Sequence, residues 1–172
     1  MGIIEGAMGR ILQNAGAPVA GTNEVQTLTI GGTPTAGTFT LTFDGYTTSA
    51  ITWSAVNATL LAAINAALDA LPNLSAAAVV ATAGTLTAGI GTILLTFSGG
   101  NVQKKAVSTM TATSSLTGTA PTAVVTETTP GVDATYRGMG KGAVLTDTTN
   151  GKLYLNTGTA IAPTWTVVGT QT

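Results

Sequence analysis

Residues 25–45 read VQTLTIGGTPTAGTFTLTFDG, and this stretch decides the fold class of the chain. In its second half Phe39, Leu41 and Phe43 alternate with threonines, and in its first half Leu28 and Ile30 alternate in the same way. An apolar residue at every second position is typical of a strand with one buried face. We therefore predict half-buried β-strands whose outer face is threonine.

The same pattern returns later in the chain, on the other side of one helical segment. Ile93, Leu95 and Phe97 again occupy alternate positions, and 79–80, 107–113 and 123–128 are predicted as further strands. A single helix is predicted at about 58–71, with Ser54 or Asn57 as its N-cap and Pro72 as its stop. Its apolar stripe should cover the sheet.

The Asp44-Gly45 pair is the usual signal for a two-residue hairpin turn. Such a turn would pair Phe43 with Tyr46 and place Ile51 on the face opposite Phe39. Because burial of large apolar side chains is worth more than a turn preference, we predict instead a longer loop or a bulge that brings Ile51 and its neighbour Trp53 to the core face.

The last forty residues differ from the segment before them. Val144–Asp147 and Lys152–Asn156 flank Asn150-Gly151 and predict a hairpin, followed by a strand at 164–168. Three short strands are marginally stable alone. We predict an α+β, mainly β protein with an extended arm at 1–23, an antiparallel sheet or sandwich with one covering helix at 24–131, and a C-terminal β-hairpin module for oligomerisation at 132–172.

Composition limits the chemistry that the chain can perform. Of 172 residues 36 are threonine, only 8% are charged, the net charge is −1, and neither Cys nor His occurs. These values argue against nucleic-acid binding, which needs clustered Lys or Arg, and against disulfides and His or Cys metal sites. No apolar run reaches the ~18 residues of a membrane helix, and the first residues lack the pattern of a secretory signal.

No candidate catalytic or cofactor site emerges from the sequence. The seven acids are scattered one at a time, and turn chemistry is a sufficient explanation for Asp44 and Asp147. The stretch 138–142, GMGKG, superficially resembles a phosphate loop but lacks the required spacing and a following Ser or Thr, so we interpret it as a flexible joint. We expect a non-enzymatic protein without cofactor or metal.

The two ends of the chain carry the apolar residues that have no large local core. The arm residues Ile3, Ile4, Met8, Ile11 and Leu12 are candidates for binding a partner surface. The C-terminal module offers candidates for an oligomer interface, since Tyr and Trp are frequent interface anchors. They are Tyr136, Leu153, Tyr154, Leu155 and Trp165. The alternative for the aromatic residues is packing within the protein itself.

Residues 25–45, the Ala/Leu helix that ends at 70–73 (ALPN), and 92–97 (TILLTF) together resemble a β-rich domain of tailed-bacteriophage virion proteins over about 100 residues. Residues 142–159 and 162–165 (APTW) resemble a hairpin module near the ends of phage fibre and head-decoration proteins, which often associate around a threefold axis. The resemblance implies a virion structural role.

On this basis we expect a capsid decoration protein of the head-fibre or cement type. It would be made in the host cytoplasm, form a homotrimer, and bind the major capsid protein or another virion protein on the outside of the phage head. Two alternatives stay open: a tail-associated or receptor-binding fibre protein, and a small envelope-degrading hydrolase, which the absence of His and of an acidic cluster argues against.

Overall fold

The computed structural model of the chain describes residues 11–14, by their backbone alone, and residues 16–170. These residues fall into two compact units, one of residues 22–132 and one that combines the described part of residues 1–21 with the described residues from 133 onward. The described residues of the predicted arm up to Gly21 therefore belong to the same unit as the predicted C-terminal module.

The described residues are mainly β, with one α-helix among them, α1, at Asn57–Asp69. A short 3-10 helix spans Gly100–Val102. The strands in chain order are β1 (Ile11–Asn14), β2 (Val25–Phe43), β3 (Tyr46–Thr47), β4 (Ile51–Thr52), β5 (Val79–Ala83), β6 (Gly91–Phe97), β7 (Thr111–Thr129), β8 (Val144–Asp147), β9 (Lys152–Asn156) and β10 (Trp165–Val167). The predicted α+β, mainly β class is confirmed.

The unit of residues 22–132 is a six-stranded antiparallel sheet organised by β2. Its path is β3-β2-β6-β5, and β4 and β7 also pair with β2. Both β2 and β7 are 19 residues long and pair along almost their full length. The prediction of two separate strands at 107–113 and 123–128 is wrong, because β7 continues through the intervening residues.

Two glycines allow β2 and β7 to pass closely at and beside the register shift between Pro34 and Ala36. Gly37 has φ +101°, and a Cβ there would lie 2.5 Å from the carbonyl oxygen of Ser115. Gly118 has φ +135°, and its Cβ would lie 2.1 Å from the carbonyl oxygen of Thr33. A side chain at either position would meet backbone in a conformation that L-residues rarely adopt, so this ribbon depends on glycine.

The core lies between one face of the sheet and α1. Its strand residues are the alternating set predicted from the sequence, Leu28, Ile30, Phe39, Leu41, Phe43, Ile93, Leu95 and Phe97, each at most 2% exposed. The helix contributes Leu60, Ile64, Ala67 and Leu68. The predicted inward set of strand residues is therefore confirmed by its burial. Each large apolar side chain buried in this way contributes about 1.5–3 kcal/mol to stability.

The segment after β2 contains both the tight turn and the bulge. Asp44 and Gly45 have φ values of +47° and +83°, and Phe43 pairs with Tyr46 across a two-residue turn. The expectation that the Asp44-Gly45 signal is misleading is wrong, whereas the bulge predicted as one of the two alternatives is confirmed. The register then shifts, so that Phe39 pairs with Ile51, which is 2% exposed. The bulge follows Thr48, whose hydroxyl accepts the N–H of Leu41.

Helix α1 begins one residue earlier and ends two residues earlier than predicted, and neither predicted N-cap side chain caps it. Asn57 instead accepts the N–H of Gly89 and donates to the carbonyl oxygen of Leu86, both at 2.9 Å. Trp53 also donates to Gly89 at 2.9 Å. These bonds tie the connection between β5 and β6 to the start of the helix.

The C-terminal unit is a four-stranded sheet in the order β1-β8-β9-β10. The predicted hairpin is formed by β8 and β9, and β10 adds an antiparallel strand. Strand β1 pairs in parallel with β8, with Ile11 opposite Val144 and Asn14 opposite Asp147. The small core contains Ala134, Ala143, Leu145 and Tyr154.

Candidate interaction surfaces

Three acids of the larger unit hold its loops in place. Glu24 is buried and accepts hydrogen bonds from the side-chain amide of Gln26 at 2.5 Å and from the backbone of Val107 at 2.8 Å. Asp69 accepts the N–H of Ala77 at 2.7 Å. The Asp44 carboxylate accepts the hydroxyl of Ser108. Across residues 16–170, no three acids come together as a possible metal site.

Asp147 is a structural acid of the C-terminal hairpin. Its carboxylate is covered and accepts the side-chain amide of Asn150 at 2.7 Å and the backbone N–H groups of Thr149 and Asn150, both at 3.0 Å. These bonds, led by that from the Asn150 side chain, hold the pKa of Asp147 below its usual 3.8, although burial opposes the shift. The turn role predicted for Asp147 is confirmed.

We expect the β8–β9 turn to lose stability in acid. The pKa of Asp147 is lower in the folded protein than in the unfolded chain, so its contribution is complete above about pH 5 and disappears as the pH falls through the folded pKa. The measurement is the pH dependence of the backbone NMR signals of Thr149 and Asn150. The Asp147→Asn variant should show no such transition; an identical acid transition in that variant would contradict the assignment.

The glycine-rich stretch 138–142 is organised around Asn156 rather than around an anion. The Asn156 amide donates to the carbonyl oxygens of Met139 and Gly140, and its side-chain oxygen accepts the N–H groups of Gly158 and Thr164. Because carbonyl groups of the stretch face this side chain, the arrangement is not that of a phosphate loop. Asn156 is fully buried and joins two loops of the C-terminal unit.

The candidate oligomer residues are divided between the two faces of the C-terminal sheet. Leu155 is 37% exposed and Leu153 is half-buried on one face, whereas Tyr154 is only 8% exposed on the other. Trp165 is half-buried, and its indole N–H donates to the carbonyl oxygen of Thr135 at 2.9 Å. Tyr136 is half-buried. Packing within the unit thus accounts for Tyr154.

Ile11 and Leu12 of the candidate arm are the first residues of β1. Ile3, Ile4 and Met8 lie outside the described residues. Val19 and Thr135 exchange hydrogen bonds, since the N–H of Val19 meets the Thr135 hydroxyl at 2.7 Å and the N–H of Thr135 meets the Val19 carbonyl at 2.9 Å. The described part of the arm up to Gly21 therefore belongs to the C-terminal unit, whereas Thr22 pairs with Val132 and Asn23 accepts the N–H of Lys104 in the larger unit.

The outer face of the large sheet is uncharged. Residues of β2, β5 and β6 that point away from α1 are threonines with a few aliphatic side chains. They are Val25, Thr27, Thr29, Thr38, Thr40, Thr42, Val80, Thr82, Thr92, Leu94 and Thr96. Hydroxyls of neighbouring strands bond to each other, as at Thr42 and Thr47, 2.8 Å apart. Such a face loses little hydration energy when another protein covers it.

The two opposite edges of this sheet, β5 and β7, differ in length and in the bonding of their backbone groups. At the β5 edge, Asn65 of α1 accepts the N–H of Ala81 at 2.8 Å and donates to its carbonyl oxygen at 3.1 Å, which occupies both backbone groups of the central residue of this five-residue strand. Strand β7, by contrast, pairs only with β2 among the described strands, and 14 of its 19 residues are exposed. Neither feature is visible in the sequence, because the bonds of Asn65 join it to a strand 16 residues further along the chain and the pairing of β7 depends on its neighbouring strand.

Among the described residues no helix is long and apolar enough to cross a bilayer. No protein-family model matches the chain, and a search of curated proteins finds no match.

Proposed function

We propose that this chain is a non-enzymatic structural protein of a tailed-phage virion that decorates the outer surface of the capsid. The uncharged threonine face of the large sheet is the observation that carries the proposal. Lys and Glu would each have to give up strongly bound water in a permanent contact, whereas hydroxyls can exchange water for protein partners at lower cost. The resemblance of residues 25–97 to phage virion domains supports the same role.

The proposed assembly unit is a homotrimer whose copies meet through the C-terminal module. Leu155 supports this contact, because it is exposed on a sheet face that also carries the half-buried Leu153 and Val144. The proposed capsid contact combines the chain before β1 with part of the outer sheet face. Its partner is the major capsid protein or another protein of the head.

Localisation on the virion tests the proposal directly. Gold-labelled antibodies against the chain should mark the head surface of intact particles. Label at the tail tip would favour the receptor-binding alternative. That alternative relies on exposed aromatic side chains and has less support, because Tyr154 is buried and the indole of Trp165 is hydrogen-bonded within its own unit. Absence of the protein from washed particles would overturn a virion role.

A binding assay identifies the surfaces involved. Purified protein should co-sediment saturably with heads that lack it. Thr40→Glu places a charge on the outer face, and removal of residues 1–10 leaves β1 intact; we expect each change to weaken binding at least tenfold. Asn101→Asp, which places the same charge at an exposed residue outside the sheet strands, is the control and should bind as the unmodified chain does. Unchanged binding by both variants would contradict the proposed contact.

A further inference from the structure

The open edge of β7 differs from the edges that proteins normally leave uncovered. Exposed edge strands are usually short, charged, interrupted by proline, or covered, because their free N–H and C=O groups pair readily with another chain. Strand β7 has 19 residues and one charge, Glu127, and its single proline, Pro121, lies beyond the first seven residues. The opposite edge, β5, has only five residues, and both backbone groups of its central residue Ala81 are bonded to Asn65, so β7 offers the longer and less obstructed side for a further strand.

One half of β7 is regular and the other is separated from it by an irregular centre. Gly118 and Ala120 have positive φ, and Pro121 has no N–H to donate. From Thr111 to Thr117, in contrast, β7 pairs with β2 in unbroken register, from Thr42 to Ala36. This segment, TATSSLT, contains no charge and no proline. It is the part of the edge that can accept a further strand.

We propose that residues 111–117 of two copies of the chain pair with each other as antiparallel strands about a twofold axis at Ser114. In a continuous sheet, residues that face each other directly must point to the same side. The Ser114 register satisfies this rule for all seven residues and keeps the irregular centre out of the ladder. It places Thr111 opposite Thr117 and Thr113 opposite Ser115.

The side chains of the segment are self-complementary in this register. On the outer face hydroxyls meet hydroxyls, as they already do within the chain at Thr27 and Thr128, 2.5 Å apart, and at Thr157 and Thr166, 3.1 Å apart. On the inner face Ala112 lies opposite Leu116, and both are half-buried against the core of their own copy. Pairing therefore joins the two cores with no charge at the contact.

This contact is separate from the trimer contact proposed above and does not depend on it. The twofold contact uses residues 111–117, whereas the trimer contact uses the C-terminal module. A substitution in β7 can abolish one without touching the other, and either proposal can fail alone.

Cysteine pairing tests the contact and its register, because the chain has no Cys of its own. Directly opposed residues in antiparallel strands have Cα atoms about 4.5–5.5 Å apart, within the range of a disulfide. The full chain carrying Ser114→Cys should form a covalent dimer under mild oxidation. Thr113→Cys alone should link at least tenfold less, since two copies of residue 113 are offset diagonally by roughly 7–8 Å.

A mixture of Thr113→Cys and Ser115→Cys chains should restore the covalent dimer, because these residues face each other across the proposed axis. Equal linking by every variant, including the Thr126→Cys control on the other half of β7, would indicate random collision and overturn the proposal. Failure of Ser114→Cys to link would overturn it as well. Without cysteines, Thr113→Lys should lower the average mass in sedimentation, and an unchanged mass would contradict the contact.

Discussion

Replacing Asn156 by Asp is expected to unfold the C-terminal unit while leaving residues 22–132 folded. The amide nitrogen of Asn156 donates to the carbonyl oxygens of Met139 at 2.6 Å and Gly140 at 3.2 Å. In the variant a carboxylate oxygen would face these two carbonyls, and no donor would remain on that side. The residue is fully buried, so water cannot compensate without opening the unit.

The expected loss is about 3–5 kcal/mol, the usual consequence of leaving a buried charge without its partners. That equals much of the stability of a unit of this size, at ~0.05–0.15 kcal/mol per residue. Among the described residues of this unit Tyr154 is the one buried aromatic side chain. Its small core therefore contributes too little free energy to offset such a loss.

Hydrogen exchange followed by peptide mass spectrometry would measure this effect in both units at once. Peptides from 139–164 should lose their protection in Asn156→Asp, and peptides from β2 and β6 should keep theirs. Asn101→Asp makes the same chemical change at an exposed site, where the lost donor bonds the carbonyl oxygen of Asn73 within reach of water, and should leave the protection of peptides from 139–164 unchanged. Retained protection in 139–164 would show that the loops do not depend on Asn156.

The buried side of the large sheet could be predicted from sequence because it follows from a local period. Phe39, Leu41 and Phe43 point inward wherever the strand lies, since a period of two is a property of the strand itself. The position of Ile51 on the same face could also be predicted, because leaving this large apolar side chain exposed to water would cost stability. What could not be predicted is how the chain reaches that arrangement, with the turn at Asp44 kept and the extra residue placed after Thr48.

The long-range polar contacts were not predictable for a physical reason. Asn57 is a residue type favoured at helix N-caps, but its side-chain oxygen accepts the N–H of Gly89, 32 positions away in the chain. The middle of β7 lacks any apolar alternation, yet it is held in a strand by backbone pairing with residues 31–37 of β2. Backbone pairing depends on the neighbouring strand and leaves no period in the sequence, so the open edge of β7 became visible only in the structure.

Replacing Gln26 by Leu is expected to lower the free energy of unfolding of the larger unit by about 3–5 kcal/mol. Gln26 is fully buried, and its amide donates to Glu24 at 2.5 Å and to the carbonyl oxygen of Ser108 at 3.0 Å. Its side-chain oxygen accepts the N–H of Met110 at 2.8 Å. Leucine is similar in size but leaves all three groups without this partner in a site closed to water.

The effect should be strongest where β7 begins. Ser108 and Met110 lie directly before Thr111, so the Gln26 side chain fixes the approach of the chain to the proposed twofold contact. Urea unfolding followed by Trp53 fluorescence, in a Trp165→Phe background, measures the loss in this unit. Glu127→Gln, which alters an exposed carboxylate of β7, is the control and should change stability by no more than about 0.5 kcal/mol.

Hydrogen exchange separates a general loss of stability from a local one. If Gln26 holds the start of β7, peptides from 107–117 should lose protection before those from β6 in the Gln26→Leu variant. Ser114→Cys placed in that variant should then link more slowly than in the unmodified chain. Uniform loss across the sheet would mean that the buried amide stabilises the core as a whole, and that the edge is positioned by its pairing with β2 alone.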